Sequence, residues 1–438
     1  LILILIPLKI GIKTIEYSAL AKKITIEQTR NKKKIINDPV YGFVNIPYDI
    51  VFDIIEHPYF QRLRRIRQLG LTSMVYPGAY HTRFHHVIGA MHLAIQAIDT
   101  LQSKGHLISD EERKAVICAV LLHDIGHGPF SHALEYTIVN GVNHEELSIL
   151  FMKALNKHFK GELDLTIKIF TNSYHKKFLH QIISSQLDVD RLDYLTRDSF
   201  YTGVNEGIVG VDRIIKLLNV HNDELVVDEK GIYSIEKFLV ARRIMYWQVY
   251  LHKAVVAAEF LVINILKKAK ELVLDGEDLF ATKSLKFFLN QNLASSDFEF
   301  NPEILKYFSK LDDYDIFTCI KEWIDHPNKT LSTLCSWMIN RRLYKTEISP
   351  EPYSDEKMNS LKAKTLQQLQ IPEEDLKFFV FSANIQNNAY NPKKDRISVF
   401  YKNGETKDIA EASDQLNISS LSTPVTKYFL CYPKTLTL

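Results

Sequence analysis

The sequence predicts a mainly α-helical protein with a small α+β region at its C-terminal end. Three observations carry that reading. From Ile35 to about Leu274, apolar residues recur at three- and four-residue spacing, the period of helices with one buried face. Helical texture continues over 276–344, with a break expected at His326-Pro327. After about Tyr344, short strand-like runs replace it.

The elements follow in chain order. The first 33 residues read as an N-terminal extension beginning LILILIPLKIGI. The apolar run before Pro7 is far too short to span a bilayer, and no basic residue precedes it, so neither an anchor nor a signal peptide is expected. Asp53–Leu69 and His86–Leu101 read as amphipathic helices. Glu111–Asp124 is a helix ending in the apolar AVICAVLLHD. Asn143 to Phe159 opens with Asn143 as N-cap and Glu146 at the third helical position, a capping-box arrangement. A helix is expected over Ile208–Asn219, a small hairpin from Leu225–Val227 and Gly231–Tyr233, and one long helix from Ile235 towards Leu274. Near the C-terminal end, Phe378–Phe381, Ile397–Tyr401 and Tyr428–Tyr432 read as strands beside a helix over Ser354–Gln370. Tyr401-Lys402-Asn403-Gly404 carries an Asn-Gly hairpin signal. These boundaries divide the chain into 1–33, a core of 34–275, a helical extension of 276–344 and an α+β domain of 345–438.

The 438 residues are 46% apolar and 24% charged, the balance of a globular protein rather than a disordered one. Fifty-four basic against 52 acidic residues leave a net charge of +2, which gives no support for general nucleic-acid coating. Cys118, Cys319, Cys335 and Cys431 show no CxxC spacing, so neither a disulfide framework nor a zinc knuckle is read, and a cytoplasmic location is expected. Histidine is the uneven residue. Nine of 16 fall between His81 and His144, where an even spread would place about two. Histidine is the commonest metal ligand and a near-neutral acid or base.

His123-Asp124 closes the apolar helix, and Gly126, Gly128 and Pro129 then break it, so the pair stands at the end of a buried element. RFHHVIG places His85 and His86 at a helix start, and QLDVDRLDYLTRD supplies Asp188, Asp190 and Asp193. A lone buried histidine is usually a satisfied core residue; the joint pattern carries the argument. One His, the His-Asp pair and one Asp make a mixed N and O set suited to Mn, Fe, Zn, Ni or Mg.

The motifs KIINDPVYG (34–42), FQRLRRIRQLG (60–70), YPGAYHTRFHHVIG (76–89), LLHDIGHGPFSH (121–132), NHEE (143–146) and DVDRLDYLTRD (188–198), with RRIMYWQVYLHK (242–253) more weakly, resemble the HD-domain phosphohydrolases, specifically the deoxynucleoside triphosphate triphosphohydrolase group. The likeness covers about half the chain, and the C-terminal third carries no matching motif. It implies a helical HD-domain core, a divalent metal cofactor, and hydrolysis of dNTPs to deoxynucleoside and tripolyphosphate. It also implies assembly as a dimer, tetramer or hexamer. By the same resemblance His86, His123, Asp124 and Asp190 are the metal ligands, and Arg83 and His132 contact the α-phosphate. His144 and Glu145 are the catalytic His-Glu pair, and His127 lines their pocket. Gln68 and Asp198 match positions holding the 3′-hydroxyl; Arg191, Tyr194 and Arg242 surround phosphates and sugar; Tyr250 packs where a 2′-hydroxyl would sit. Leu251 departs from a polar base contact, which leaves base preference open. Lys34, Asn37, Gln61, Arg64, His252 and Lys253 match an activating-nucleotide site, with Glu56 in place of its guanine-reading Asp.

The chemistry implied is metal-assisted attack of water at the α-phosphorus. His144 is the candidate general acid for the departing 5′-oxygen; Glu145 favours its protonated form, and the helix N-terminus opposes it. Arg83, Arg191 and Arg242 would neutralise the triphosphate, whereas Arg65 and Arg67 read as a solvated basic helix face. Rival readings are a phosphohydrolase or phosphodiesterase for another nucleotide or for single-stranded nucleic acid, and a nucleotide-sensing module. No GYP motif is present, no acidic pair follows His-Asp, and GxxxxGK[ST] is absent, which disfavours the cyclic-dinucleotide, stringent-response and Walker-type readings.

Overall fold

The computed structural model describes residues 34–130, 137, 143–387, 389–392, 395–414 and 423–436. The expected extension over 1–33 lies outside these residues, as does His132. The chain is mainly helical, around a long central helix α2 (Arg83–Ser103) preceded by a hairpin of β1 (Ile35–Asp38) and β2 (Gly42–Asn45) and by α1 (Asp49–Glu56). α2 packs against α3 (Asp110–Leu122) and later against α7 (Val189–Thr202); α4 (His144–His158), α5 (Asp164–Phe170) and α6 (Lys177–Ile183) come between. α3 starts cleanly because Ser109 and Glu112 satisfy each other's backbone N–H groups, at 2.9 and 3.1 Å. Its apolar run Ala115–Leu122 is buried throughout, which carries His123 into the interior.

The segment between α1 and α2 differs from the expected helix over Asp53–Leu69. α1 stops at Glu56, because Pro58 follows an extended His57, and Arg62–Arg65 form a 3₁₀ turn. Arg67 then bridges Thr82 in a one-residue antiparallel ladder. Arg65 and Arg67 therefore share no helix face, although Arg65 stays solvent-exposed as expected. Arg65 pairs with Asp312, the Arg67 amide donates to Asp313 Oδ2 at 3.0 Å, and the Arg67 guanidinium stacks on Tyr80 and Phe317.

Three further expectations are corrected. The helix expected over Ile208–Asn219 is α8 (Val211–Lys216) only, and the chain turns at Leu217 into β3 (Leu218–His221). β3 pairs with β4 (Glu224–Asp228) through Asn222 and Asp223, both in the left-handed region, so the hairpin lies one strand earlier than the one expected with Gly231–Tyr233. The long helix is two helices, α9 (Ile232–Met245) and α10 (Lys253–Leu274), bent by 57°. A π turn over Tyr246–Tyr250 and the extended His252, whose Nδ1 accepts the Ala254 amide, make the break.

Beyond α10 run α11 (Lys283–Leu289), α12 (Ser295–Phe300), α13 (Pro302–Phe308), α14 (Asp313–Glu322) and α15 (Lys329–Ile339), with the expected interruption at His326-Pro327. β5 (Lys345–Ser349), β6 (Phe381–Asn387) and β9 (Val425–Tyr432) form an antiparallel sheet in the order β5-β9-β6, flanked by α16 (Asp355–Leu369). β7 (Ser398–Phe400) and β8 (Thr406–Asp408) close on the Asn-Gly turn, with Gly404 at φ +87°. β7 also lies parallel to β4, which places C-terminal residues on the hairpin of the core. No single described helix is long and apolar enough to cross a membrane.

Asp313 ties α14 to this core at a measurable cost. Burial pushes its carboxyl up to about 7 against the amide bond from Arg67 and the Arg67 charge. A folded-state carboxyl raised above its unfolded value of ~3.9 binds a proton more tightly than the unfolded chain does, so stability falls as pH rises from about 4 to about 7. The fall is at most ~4 kcal/mol. Asp313→Asn should flatten it: urea unfolding at pH 5 and pH 8 is expected to show the variant gaining on the native chain by more at pH 8 than at pH 5.

Candidate metal centre and active-site cavity

The first turn of α2 carries Arg83 and His86. The ladder at Arg67 and Thr82 sets that turn, with the Arg83 amide donating to Ile66 O at 2.9 Å and the Gln68 amide to His81 O at 3.0 Å. Gln68 and Arg83 thereby come to the same wall. His123 and Asp124 stand at the end of α3, where the chain reverses at Gly126. A Cβ on Gly126 would lie 2.2 Å from His144 O and 2.4 Å from the Ser148 amide, so only glycine lets α4 cross this close. Ser148 closes the contact, donating to His123 O at 2.7 Å and accepting the Gly126 amide at 2.9 Å. Asp190 lies in the first turn of α7, whose N-cap Asp188 accepts the Arg191 amide at 2.7 Å.

These elements converge on one point. His86 Nε2 is 3.0 Å from Asp190 Oδ1 and 3.3 Å from His123 Nε2, and His123 Nε2 is 3.5 Å from Asp190 Oδ1. Asp124 lies beside them, 3.4 Å from His123 Nε2 and 3.8 Å from His86 Nε2, with its other contacts to Arg83 and to His127 Nε2 at 3.3 Å. His86, His123 and Asp190 form a group that could hold a metal ion. The tautomers support that fit. His86 Nδ1 faces Asp193 at 2.7 Å and His123 Nδ1 faces Val120 O at 2.6 Å, both acceptors, so each ring holds a proton there and directs Nε2 to the centre, where a cation would take the place of a second proton. Burial disfavours a charged His86, yet Asp190 and Asp193 hold its pKa up at about 10. The pocket is built to take a positive charge.

The centre opens on a cavity of about 840 Å³. Of the residues expected from the sequence, Gln68, Arg83, His123, Asp124, His127, His144, Glu145, Asp190, Arg191, Tyr194 and Tyr250 line it. His127 stacks on His144 with ring centroids 3.9 Å apart, and burial, reinforced by the Arg83 charge, lowers the His127 pKa to about 3. His127 is therefore neutral at physiological pH. Burial and the neighbouring Tyr246 raise the Tyr194 hydroxyl, while Asp188 beside Arg191 holds that guanidinium charged against its burial. Gln68 Oε1 is buried with no donor among the described residues.

Other expected residues sit elsewhere. His86 is fully buried within the centre itself and is not among the residues lining the cavity. Asp198 is not among the lining residues; it accepts from Tyr250 OH at 2.7 Å and meets His81 Nε2 at 2.8 Å, and so stands behind Tyr250. Arg242 is buried and donates to Gln186 Oε1 at 3.1 Å. In the expected activator set, Arg64 Nε donates to Gln61 Oε1 at 3.0 Å and its charge faces Glu56, with Asn37 exposed on β1 and Lys34 exposed just before it. His252 instead packs by Tyr76, with Lys253 next to it at the start of α10. Sequence reasoning left His81, Tyr246, His180 and Ser148 without a role. Tyr246 and His180 line the cavity, and the only prior signal was His81's place in the histidine cluster and Tyr246's place in a matched motif.

Residues 83–198 match the family model described as HD domain, and 209–288 match the HD associated region. The chain is 34% identical over 328 residues to an uncharacterized protein of Bacillus subtilis, covering 73% of each. It is 32% identical over 289 residues to a protein of Dictyostelium discoideum named deoxynucleoside triphosphate triphosphohydrolase SAMHD1 homolog, covering 62% of this chain and 56% of that one. Among solved structures, a phosphohydrolase from Bacteroides thetaiotaomicron superposes with a TM-score of 0.89 at 55% identity, covering 91% of this chain and 99% of the other.

Asp193→Asn should weaken divalent-metal affinity by about 10–100-fold, because the amide no longer fixes the His86 tautomer. Competitive metal titration of the purified chain measures this. Unchanged affinity would remove Asp193 from the support of the centre.

Proposed function

We propose that this chain, which belongs to the HD-domain phosphohydrolase family, hydrolyses deoxynucleoside triphosphates to deoxynucleoside and tripolyphosphate. The observation that carries the reading is the convergence of the His86 and His123 Nε2 atoms and the Asp190 carboxylate beside a cavity that also presents Arg83 and Arg191. His86, His123, Asp190 and the adjacent Asp124 would hold a divalent cation. Such a cation supplies Lewis acidity and lowers the pKa of water.

The chain's own side chains divide the remaining work. Arg83 and Arg191 present guanidinium charge to the triphosphate while each keeps a carboxylate, Asp124 and Asp188, at its back. Gln68 Oε1 is placed to accept from the sugar 3′-hydroxyl. Tyr250, braced by Asp198 and His81, occupies the wall where a 2′-hydroxyl would crowd it. His144 is the group that delivers a proton to the departing 5′-oxygen. Its neutral stacking partner His127 adds no competing charge, and Glu145 sits beside it on the cavity wall. His132, expected against the α-phosphate, lies outside the described residues. Self-association and activation by a nucleotide bound near Glu56, Gln61 and Arg64 belong to the same reading; the like-facing cluster of Arg64, Gln61 and Glu56 supports the second.

Product analysis over all four dNTPs, with several divalent metals and with or without GTP, tests the proposal. Tripolyphosphate is the expected product; pyrophosphate or orthophosphate would overturn the reaction class. His144→Ala is expected to keep metal while turnover drops at least ~100-fold. The double variant His123→Ala/Asp124→Ala should lose metal and turnover together, measured by metal analysis and the same product assay.

A further inference from the structure

The C-terminal α+β region reaches the segment that leads into the metal centre through one side chain. Residues 184–187 join α6 to α7, and the first turn of α7 carries Asp190 and Arg191. Ser184 lies in the cavity wall at the start of this segment. Each of its four backbone N–H groups has an acceptor. The Ser184 amide donates to His180 O at 2.9 Å, the Ser185 amide to Asp188 Oδ2 at 2.8 Å, and the Leu187 amide to Ser185 Oγ at 3.2 Å. These three acceptors are local. The Gln186 amide is met from afar: it donates to Asp395 Oδ2 at 3.0 Å, 209 residues later in the chain.

Asp395 is itself held in place. Its Oδ1 accepts the Arg396 amide at 3.0 Å, which leaves Oδ2 turned to Gln186. Three residues on, β7 begins its parallel pairing with β4, Ser398 against Val226. β4 in turn is tied to α6, the Leu225 amide donating to Gln181 Oε1 at 2.7 Å. The carboxylate therefore stands just ahead of a strand anchored to the core. Gln186 passes the constraint on in two directions. Along the main chain it leads to Asp188, whose carboxylate accepts the Arg191 amide at 2.7 Å and pairs with the Arg191 guanidinium. Through its side chain, Oε1 accepts from Arg242 Nη1 at 3.1 Å. Gln186 is buried, at 7% exposure, so loss of the Asp395 carboxylate leaves a buried N–H unpaired.

We propose, on the active-site reading above, that Asp395 is a positioning residue, which fixes the 184–187 segment and thereby the first turn of α7 that presents Asp190 to the metal centre. Metal ligands work only when held within about 0.5 Å of the productive geometry. A segment released at Gln186 can drift by that much without unfolding α7, because the N-cap bonds of Asp188 move with it.

Competitive divalent-metal titration of the full chain, without substrate, tests the proposal. Asp395→Ala should weaken metal affinity about tenfold, while Asp395→Asn, whose side-chain oxygen still accepts the Gln186 amide, should stay within about two-fold of the native chain. A merely structural bond would lower the urea midpoint of Asp395→Ala and leave the metal affinity of the folded protein unchanged; that result overturns the proposal. Equal weakening in Asp395→Ala and Asp395→Asn overturns it too. Should Asp395→Ala not fold, Asp395→Ser, with a polar side chain too short to span the bond, takes its place with the same expectation. A native chain that binds no metal overturns both this proposal and the active-site reading. One that binds metal but forms no tripolyphosphate overturns the substrate reading alone, and the comparison of metal affinities still decides on Asp395.

Discussion

The structure depends on a chain of buried charge that begins at His86 and ends at the N-terminal hairpin. His86 Nδ1 is held by Asp193, Asp193 by the Nε and Nη2 of Arg197 at 3.0 and 2.9 Å, and Arg197 by Asp38 at 2.8 Å. Asp38 also accepts the Val40 and Tyr41 amides. Such groups are expensive to take out of water, and the arrangement is tolerable only because each has a partner of opposite charge at bonding distance. The price is steric as well: a Cβ on Gly89 would lie 2.0 Å from Arg197 Nη2 and 2.1 Å from Asp193 Oδ1, so α2 and α7 approach at a glycine. One consequence is chemical. With Nδ1 committed, the His86 ring can only turn Nε2 to the centre.

A second buried cation holds the opposite side. Arg62 is fully buried, donates to Ile125 O at 2.9 Å, and lies over the rings of Phe308 and Phe151 at 5.0 and 5.6 Å. Ile125 directly follows Asp124, so this bond fixes the turn that carries the His-Asp pair. Burial lowers the Arg62 pKa to about 9, which still leaves it charged near neutrality. The helical extension contributes here through Leu311 O, Asp312 and Asp313, which hold Arg62, Arg65 and Arg67. Residues far from the cavity in sequence thus set its geometry without touching its contents.

The bend between α9 and α10 serves the cavity in another way. The π turn brings Tyr246 and Tyr250 to one wall, with ring centroids 5.3 Å apart, and Tyr194 closes on Tyr250 at 6.2 Å. A straight helix would separate residues four apart by only one turn on the same face but would not redirect the chain at His252.

Sequence alone determined what is local or carried by a dense motif. Helix periods, the Asn-Gly turn and the break at His326-Pro327 were legible because each depends on residues within a few positions of one another. The meeting of His86, His123 and Asp190 was legible because their motifs occur in the order of a known family, and Asp124 lies beside that group. Tertiary structure decided the rest. Which ring nitrogen faces the centre follows from Asp193 and Val120; whether Asp198 meets the cavity or stands behind Tyr250 follows from His81; and that the buried Lys268 finds Asp375 follows from the packing of α10 against residues about a hundred positions away. Local pattern says nothing of these, because the energy of a buried charge is set by the partner it meets in space, and the partner of Arg197 lies 159 residues earlier in the chain.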